Sequence, residues 1–418
     1  MELMPGYKRS DVGVIPEDWK DASLGEVAEI RMCKRIFAEQ TNLIGDIPFF
    51  KIGTFGRTPD AFISSDLYRE YKKKYSFPNK GDILLSAAGT LGKTVIYDGE
   101  DAYFQDSNIV WLDIDRTKIK NEYLYQCYQA IKWASPEGST ISRLYNGIIR
   151  NTKIPLPPTE TEQHAIAEVL SDVDTLLAAL DQMIVKKRDL KQAVMQQLLT
   201  GKTRLPGFCG EWQKKTLGEL GATYGGITGK TKSDFGVGAA KYITFMNVMT
   251  NAVIDCTVFE QVNVSASETQ NSVLRGDLLF NGSSETPEEV AFCSLMAEEV
   301  PDLYLNSFCF GFRLFDDQQV DGLFLTYYIR ANPGREMMKS LAQGSTRYNL
   351  SKTALREASV LLPLKDEQVA IAEVLSGLDA ELIALEARRD KSRNIKQAMM
   401  QQLLTGKTRL IAKEESHV

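Results

Sequence analysis

Residues 162–205 read EQHAIAEVLSDVDTLLAALDQMIVKKRDLKQAVMQQLLTGKTRL, and residues 367–410 repeat them as EQVAIAEVLSGLDAELIALEARRDKSRNIKQAMMQQLLTGKTRL. The two stretches align without a gap, and about 29 of their 44 positions are identical. Similarity of this extent is far beyond chance. The fold must therefore accommodate the same long element twice.

Each copy carries the apolar spacing of a long helix. Apolar residues recur in alternating steps of four and three, which is typical of a coiled-coil seam. The predicted helix-pair seam consists of Ile166, Leu170, Val173, Leu177, Leu180 and Ile184 in the first copy, and of Ile371, Leu375, Leu378, Leu382 and Leu385 in the second. A basic pair interrupts the pattern at residues 187–188 and 388–389, and the seam resumes at Leu190, Val194 and Leu198 and at Ile395, Met399 and Leu403.

The two copies also end alike. Gly201 and Gly406 suit a helix C-terminus because glycine readily adopts the left-handed conformation found there. The lysine after each glycine is favoured by the negative end of the helix dipole. We therefore predict helices over residues 161–199 and 366–404.

The segments ahead of the helices differ from them in texture. Each is about 160 residues long and has aromatic and β-branched runs broken by Gly, Pro, Asn and Asp, which is typical of strands and short helices. The two segments are weakly related. Trp19 followed by Leu-Gly-Glu at 24–26 matches Trp212 followed by Leu-Gly-Glu at 217–219. Gly-Asp occurs at 81–82 and again at 276–277, and Gly-Ser-Thr occurs at 138–140 and again at 344–346.

This order predicts a mixed α/β protein with a pseudo-two-fold internal repeat, in which two long antiparallel coiled-coil helices separate two globular domains. The predicted segments are a domain at 1–158, a helix at 159–203, a domain at 204–361, a helix at 362–410 and a charged tail at 411–418. Nearly identical helices beside divergent domains indicate that the helices face a common partner and the domains different ones. Recent duplication with faster drift in loop-rich domains is the alternative explanation.

Composition excludes several classes of protein. The chain has 418 residues, and its 49 Lys and Arg against 55 Asp and Glu give a net charge of −6, so a wholly basic nucleic-acid coat is excluded but a local basic face is not. The six cysteines are scattered, which excludes a local zinc knuckle and favours reduced thiols. The sequence lacks a long apolar run and an apolar leader, so we expect a cytoplasmic protein that does not contact a membrane.

Catalytic motifs fail their spacing tests. Only two histidines occur, His164 and His417, which leaves little room for a catalytic triad or a histidine metal site. Four Gly-Lys-Thr triplets lack the glycine that a phosphate-binding loop needs five residues earlier. A Pro-Asp at 59–60 with Glu-Tyr-Lys at 70–72 lacks the apolar flanks of a nuclease strand, and no methyl-donor loop is visible. We therefore expect no enzyme activity, no metal site and no cofactor in this chain.

Several loops carry residues that are suited to binding nucleic acid. Residues 71–75 (YKKKY) interleave aromatic and cationic side chains, although a solvated helix face explains them equally well. Glycine-rich loops at 52–57, 89–93 and 225–232 allow close backbone approach, and arginine and asparagine can discriminate guanine and adenine. The candidate DNA-binding residues are Lys51, Arg57, Lys72, Lys73, Lys74, Thr90, Lys93, Ser139, Thr140, Lys230, Lys232, Ser345, Thr346, Arg347 and Asn349.

The whole chain resembles the specificity subunit of Type I restriction-modification systems. The elements that carry the resemblance are Ile-Pro-Glu-Asp-Trp at 15–19, the Gly-Asp-Ile-Leu-Leu-Ser turn that leads to Gly-Thr-Leu-Gly-Lys at 89–93, the Pro-Pro entry at 157–158 and the Thr-Gly-Lys-Thr-Arg-Leu exits. The second domain departs from the pattern, because it lacks the Gly-Thr-x-Gly-Lys turn after Asn281. The course of its reading loop is therefore open.

The resemblance implies a non-enzymatic subunit with two target-recognition domains that read a bipartite site on double-stranded DNA. Two methyltransferase subunits, using S-adenosylmethionine, and restriction translocase-nuclease subunits, using ATP and Mg, would then supply catalysis. A helix of about 39 residues is roughly 58 Å long, which matches around 17 base pairs of duplex. A scaffold whose helical pair presents two protein-binding domains is the alternative.

Overall fold

A computed structural model describes residues 5–134, 142–265 and 267–410. The chain divides into two compact units, residues 1–180 with 388–418 (unit one) and residues 181–387 (unit two). Each unit thus holds one globular half of the sequence together with parts of both long helices. The linear domain boundaries given above stay predictions.

Unit one contains the elements of the first half of the sequence. Its strands are β1 (Tyr7–Ser10), β2 (Gly13–Pro16), β3 (Lys20–Ser23), β4 (Ala28–Arg31), β5 (Ile47–Phe50), β6 (Phe62–Ile63), β7 (Ile83–Ser86), β8 (Thr94–Ile96), β9 (Tyr103–Phe104), β10 (Ile109–Ile114) and β11 (Lys153–Leu156). Its helices are α1 (Leu24–Val27), α2 (Ser65–Lys74), α3 (Asn121–Ala130), α4 (Asn146–Asn151) and the first part of α5 (Glu160–Leu198). The main sheet has the antiparallel order β4-β10-β7-β8, and a smaller sheet has the order β6-β5-β9.

Unit two repeats this plan. Its strands are β12 (Gln213–Thr216), β13 (Gly221–Gly225), β14 (Phe235–Ile243), β15 (Glu260–Val262), β16 (Leu278–Asn281), β17 (Ser283–Ser284), β18 (Cys293–Leu295), β19 (Leu303–Leu305), β20 (Cys309–Leu314), β21 (Tyr348–Asn349) and β22 (Ser359–Leu362). Its helices are α6 (Leu217–Leu220), α7 (Phe245–Thr250), α8 (Gly322–Arg330), α9 (Asn332–Leu341), α10 (Lys352–Glu357) and the first part of α11 (Lys365–Leu403). The sheets β13-β20-β16-β18 and β15-β14-β19 correspond to those of unit one, so the predicted mixed α/β internal repeat is confirmed.

The repeated Gly-Asp pair builds the turn ahead of a buried central strand in each unit. Gly81 and Gly276 both have a φ of +90°, which favours glycine. The Asp82 carboxylate accepts a hydrogen bond from Asn79 N at 2.7 Å, and the Asp277 carboxylate accepts one from Leu274 N at 2.8 Å. The Gly-Asp repeat therefore has a structural role.

The long helices begin and end one residue before the predicted bounds, at Glu160–Leu198 and Lys365–Leu403. All predicted seam residues are buried or half-buried. Some of them belong to the globular cores: Ile166 and Leu170 pack in unit one with Leu403, the last residue of α11, and with Leu404 directly after it. The helix pair is therefore continuous with the core of each unit.

The predicted seam residues after the break are wrong at Leu190 and Ile395, which are both 47% exposed. The others are half-buried or buried: Val194, Leu198, Met399 and Leu403. The four-three pattern instead continues in phase through Lys187, Lys191 and Lys396. These lysines can lie at seam positions because acidic residues lie opposite them on the other helix: Glu381, Asp379 and Asp174, respectively.

Basic residues pair with acids of the opposite helix in antiparallel order in unit two, and an equivalent pair occurs in unit one. In unit two, Lys191 pairs with Asp379 and Arg188 with Glu386, so that the partner numbers fall as the first ones rise. In unit one, Lys396 Nζ lies 2.6 Å from Asp174 Oδ1. Charged pairs at seam positions can fix register and orientation, as polar groups do in coiled coils.

Replacing a buried seam residue tests the helix pair. We expect Ile184→Asp to lower the stability of unit two by about 3 kcal/mol, because it buries an unpaired carboxylate. The neighbouring Val185 is exposed, so Val185→Asp should change stability by less than about 0.5 kcal/mol. Hydrogen exchange of the α8 amides measures both effects, and equal losses in the two variants would remove Ile184 from the seam.

Candidate nucleic-acid interface

The Gly-Thr-Leu-Gly-Lys turn of unit one is held by Ser86 at the end of β7. Ser86 Oγ donates a hydrogen bond to Thr90 O at 2.5 Å and accepts one from Lys93 N at 2.8 Å. Gly89 and Gly92 have positive φ values of 66° and 79°, which explains the two glycines of the turn. Gly92 N also donates to Ser86 O at 3.0 Å, so the turn is a defined structure in which the amides of residues 92 and 93 are engaged.

Lys93 connects this turn to the loop at 51–57. Its ammonium group donates to Phe55 O and lies 5.9 Å from the Phe55 ring centroid. A side chain at Gly56 would come within 3.0 Å of Lys93 Nζ, so the glycine permits the close approach. Two predicted loops thus form one surface, on which Arg57 is exposed and Lys51 pairs with Asp60 at 2.8 Å.

The three lysines of α2 have different surroundings. Lys72 Nζ donates to Tyr68 Oη at 2.6 Å, lies 3.4 Å from Asp101 and sits over the rings of Tyr68 and Phe77. Lys74 Nζ lies 5.5 Å from the Tyr75 ring centroid. Lys73 is exposed on the same helix. Lys73 and Lys74 therefore suit phosphate contacts better than Lys72 does.

The glycine-rich loop of unit two contains one anchored and one exposed lysine. The Lys230 side chain is 6% exposed and pairs with Glu268 at 2.5 Å. This hydrogen bond, with weaker ones from Ser265 N and Gln270, lowers the pKa of Glu268 to about 2. Lys232 is exposed. Lys230 therefore stabilises the loop, and Lys232 is the better phosphate-binding candidate.

The segment at 344–349 lies beside the loop that follows β16, whose course the sequence did not determine. Tyr348 and Asn349 form β21, which pairs with Ser283 and Ser284 of β17 directly after the central strand β16. Ser345, Thr346, Arg347 and Asn349 are all exposed there. The corresponding predictions in the first domain, Ser139 and Thr140, lie outside the described residues.

Asn281 explains why the second domain lacks the Gly-Thr-x-Gly-Lys turn. Asn281 is the last residue of β16, just as Ser86 is the last residue of β7. Its side chain, however, accepts a hydrogen bond from Phe292 N at 2.6 Å and donates one to Glu289 O at 2.8 Å. The serine holds a short turn, whereas the longer asparagine holds a wider loop. The Asn281 side chain is the sequence signal that distinguishes the two cases.

In unit one, three segments that are distant in sequence meet directly after the central strand β7. Ala87 N donates to Asn108 O at 2.7 Å, and Ala87 O accepts from Leu144 N at 2.8 Å. Arg143 Nη2 donates to Ser107 O at 3.1 Å. We call this junction, residues 87–88, 107–108 and 143–144, the three-segment edge of unit one.

The same edge occurs in unit two. Gly282 N donates to Phe308 O at 2.9 Å, and Gly282 O accepts from Leu350 N at 3.0 Å. Residues 282–284, 307–308 and 347–350 form the three-segment edge of this unit. Sequence reasoning missed Asn108, Arg143 and Phe308, although each lies next to an element that repeats in structure.

A second pair of equivalent contacts closes each unit. Arg409 pairs with both Glu162 and Asp18 in unit one, and its guanidinium carbon lies 5.6 Å from the Trp19 ring centroid. In unit two, Arg204 donates from Nε and Nη2 to the two carboxylate oxygens of Glu367, each at 2.5 Å. The repeated Glu at the helix start and the repeated Arg after the helix end are therefore partners.

The glutamine after each of these glutamates also anchors its helix. Gln163 accepts from Lys120 N and donates to Lys118 O, both at 3.0 Å. Gln368 accepts from Asp321 N at 2.9 Å and donates to Gln319 O at 3.1 Å. Contacts inside each unit thus explain part of the near-identity of the two helical repeats.

Together the described residues define a protein with two similar globular units, each presenting cationic and glycine-rich loops at its own three-segment edge. No cluster of three or more potential metal ligands occurs among the described residues. Within the same part of the chain, no helix is long and apolar enough to cross a membrane. The geometry is that of a repeated binding protein.

The sequence matches the family of the Type I restriction modification DNA specificity domain over residues 16–186 and 210–393. The chain belongs to this family, and recognition of a DNA target is the role that its relatives indicate.

Individual relatives agree with this assignment. A Haemophilus influenzae protein described as a putative type I restriction enzyme specificity subunit is 55% identical over 170 residues, which are 41% of this chain and 44% of that protein. The putative type I restriction enzyme MjaX specificity subunit of Methanocaldococcus jannaschii is 24% identical over 432 residues and covers 97% of both chains. The crystal structure of a Type I restriction-modification system S subunit from M. genitalium shares the fold, with a TM-score of 0.59 at 16% identity over 96% of this chain and 99% of that one.

Proposed function

We propose that this chain reads a bipartite sequence on double-stranded DNA and directs methyltransferase and restriction subunits to it. The observation that carries the proposal is the three-segment edge, which is built twice from the same backbone contacts and from different side chains. Equal scaffolds with unequal side chains suit two half-sites of different sequence. Membership of the DNA specificity family supports the same function.

The charge distribution supports contact with phosphates despite the net charge of −6. In unit one, Arg57, Lys73 and Lys74 are exposed around the predicted loops and α2. In unit two, Lys232 and Arg347 are exposed. Exposed cations on loops bind the DNA backbone and fix the register, while neighbouring side chains read base edges.

The helices of unit two carry apolar side chains that the fold does not use. Met183, Val185, Leu190 and Ile383 are all exposed on α5 and α11. Met183 and Leu190 lie seven residues apart and therefore on one face of α5, and an exposed apolar surface on a paired helix suits a protein partner. We assign this surface to a methyltransferase subunit and propose that two such subunits bind one chain.

Catalysis then belongs to the partners. A base methyltransferase has to extrude its target from the duplex, so another subunit must first set its position on the sequence. S-adenosylmethionine, ATP and Mg would bind in the methyltransferase and restriction subunits, and the assembly would act in the cytoplasm. A scaffold for two protein-binding domains is not favoured, because the family is one of DNA specificity domains.

Salt-dependent DNA binding tests the proposal. We expect Lys73→Ala to weaken binding of the complex with its methyltransferase subunits to all duplexes alike, and to reduce the slope of log K against log salt by about one. Fluorescence anisotropy with labelled duplexes at several salt concentrations measures the slope. Lys8→Ala is a matched control, because the Lys8 ammonium donates to Glu17 O outside the predicted loops.

An unchanged slope in Lys73→Ala would remove α2 from the interface. For the function as a whole, the decisive result is sequencing of methylated DNA from cells with and without this chain. We expect methylation of one bipartite sequence that disappears without the chain. Methylation that persists without it would contradict the proposed function.

A further inference from the structure

The three-segment edges define equivalent positions in two domains whose sequences have diverged. The carbonyl that accepts from the residue after the central strand belongs to Asn108 in unit one and to Phe308 in unit two. Both residues directly precede a buried strand, β10 or β20. Positions 108 and 308 are therefore structurally the same place, with an amide side chain in one unit and an aromatic ring in the other.

Phe308 is held firmly although its ring is exposed. Its backbone N donates to Asn306 Oδ1 at 2.9 Å, its carbonyl accepts from Gly282 N at 2.9 Å, and Cys309 N donates to Asn306 O at 3.0 Å. The side chain is nevertheless 57% exposed. A rigid backbone that presents an apolar ring to solvent adds little to the core and suits contact with a partner.

The neighbours of Phe308 are predicted DNA contacts. The guanidinium carbon of Arg347 lies 5.4 Å from the Phe308 ring centroid, within cation–π range. Asn349 is exposed on β21, two residues further along the segment that crosses the same edge. The ring therefore lies beside a cation suited to phosphate or guanine and near an amide suited to adenine.

The chemistry of the ring indicates what it reads. Among the groups that base pairs present in the major groove, the 5-methyl of thymine is the apolar one, and phenylalanine is a side chain that contacts it. Asn108, at the equivalent position of unit one, carries an amide that matches adenine instead. The difference between the two side chains would then produce different half-sites from one scaffold.

We propose that Phe308 is a specificity-determining residue that contacts the 5-methyl group of a thymine in the half-site read by unit two. The inference rests on the proposed function and goes further, because it names one residue, one chemical group and one half of the target. Its signature is a dependence of binding on a single methyl group. Uracil lacks that group and keeps the other major-groove groups of thymine.

The test uses the complex of the full chain with its methyltransferase subunits and the duplex that this complex methylates. Each thymine of the unit-two half-site is replaced in turn by uracil. We expect one replacement to weaken wild-type binding about fourfold, the value of burying one methyl-sized group. In Phe308→Ala, that thymine and uracil should bind equally, while all replacements in the other half-site should act as in the wild type.

Phe315→Ala is the matched control, since Phe315 is 67% exposed in unit two and its backbone N donates to Leu220 O, away from the edge. It should retain the wild-type preference for thymine. The proposal is overturned if wild-type binding is unaffected by every uracil, if the half-site contains no thymine, or if Phe308→Ala keeps the preference. A wild-type complex that prefers no sequence at all would instead show that the proposed function has failed, and the inference with it.

Discussion

We expect Arg204→Ala to destabilise unit two by about 3 to 5 kcal/mol, because it leaves a buried carboxylate without its partner. The Glu367 side chain is only 1% exposed, whereas that of Arg204 is 26% exposed. Both carboxylate oxygens accept from the guanidinium, so the arginine supplies the charge compensation that water cannot. Glu367→Gln should have a smaller effect, since the remaining cation can reach solvent.

Hydrogen exchange of amides in α8 measures this loss, because it reports on unit two without assuming two-state unfolding of the whole chain. Lys202→Ala is the matched control: Lys202 is exposed, lies two residues before Arg204 and should change stability by less than about 0.5 kcal/mol. Arg409→Ala should produce the corresponding loss in unit one and leave the α8 amides unchanged. Equal losses in Arg204→Ala and Lys202→Ala would contradict a role of the ion pair in closing the unit.

The helices were predictable from the sequence to within one residue, and the ion pairs that hold them were not. Periodicity reports on one helix at a time, so it marks the basic pair Lys187 and Arg188 as a break in the seam. Only the fold shows that Glu381 and Glu386 lie opposite them. The same limit applies to Arg204 and Glu367, which are 163 residues apart in sequence.

The candidate interface was predictable as a set of loops but not residue by residue. Glycine and cation patterns indicated the loops at 51–57 and 89–93, which the structure brings together. They could not show that Lys72 and Lys230 are engaged with Asp101 and Glu268, because those acids lie on other segments. Phe308 escaped notice because an isolated apolar residue before a strand is typical of a core position.

Contacts inside each unit also change the interpretation of the repeat. The near-identity of the two helices indicated a common partner for both. The hydrogen bonds of Gln163 and Gln368 show that part of this identity is needed to anchor each helix within its own unit. Exposed apolar residues such as Ile383 need another explanation, and a bound subunit supplies one. The two constraints act on different residues of the same helices.

Exchanging residues 1–158 for the equivalent domain of a relative should change one half of the methylated sequence completely and leave the other half as it was. We expect this because the three-segment edge of unit one is built from residues 87–144 and that of unit two from residues 282–350, so each edge can be replaced without the other. The incoming domain has to keep the contacts that close unit one. It therefore needs an acid and a tryptophan at the positions of Asp18 and Trp19, which contact Arg409.

The measurement is sequencing of methylated DNA from cells that carry the exchanged chain with the original methyltransferase subunits. A chain in which residues 204–361 are exchanged instead is the reciprocal control, and it should change only the half that the first exchange preserves. If an exchanged chain also lacks the acid at position 18, its unit one should be less stable, because Arg409 then keeps only its ion pair with Glu162. If either exchange altered both halves, or neither, the two edges would not read DNA independently, since a base contact made by one edge cannot depend on side chains that only the other edge contains.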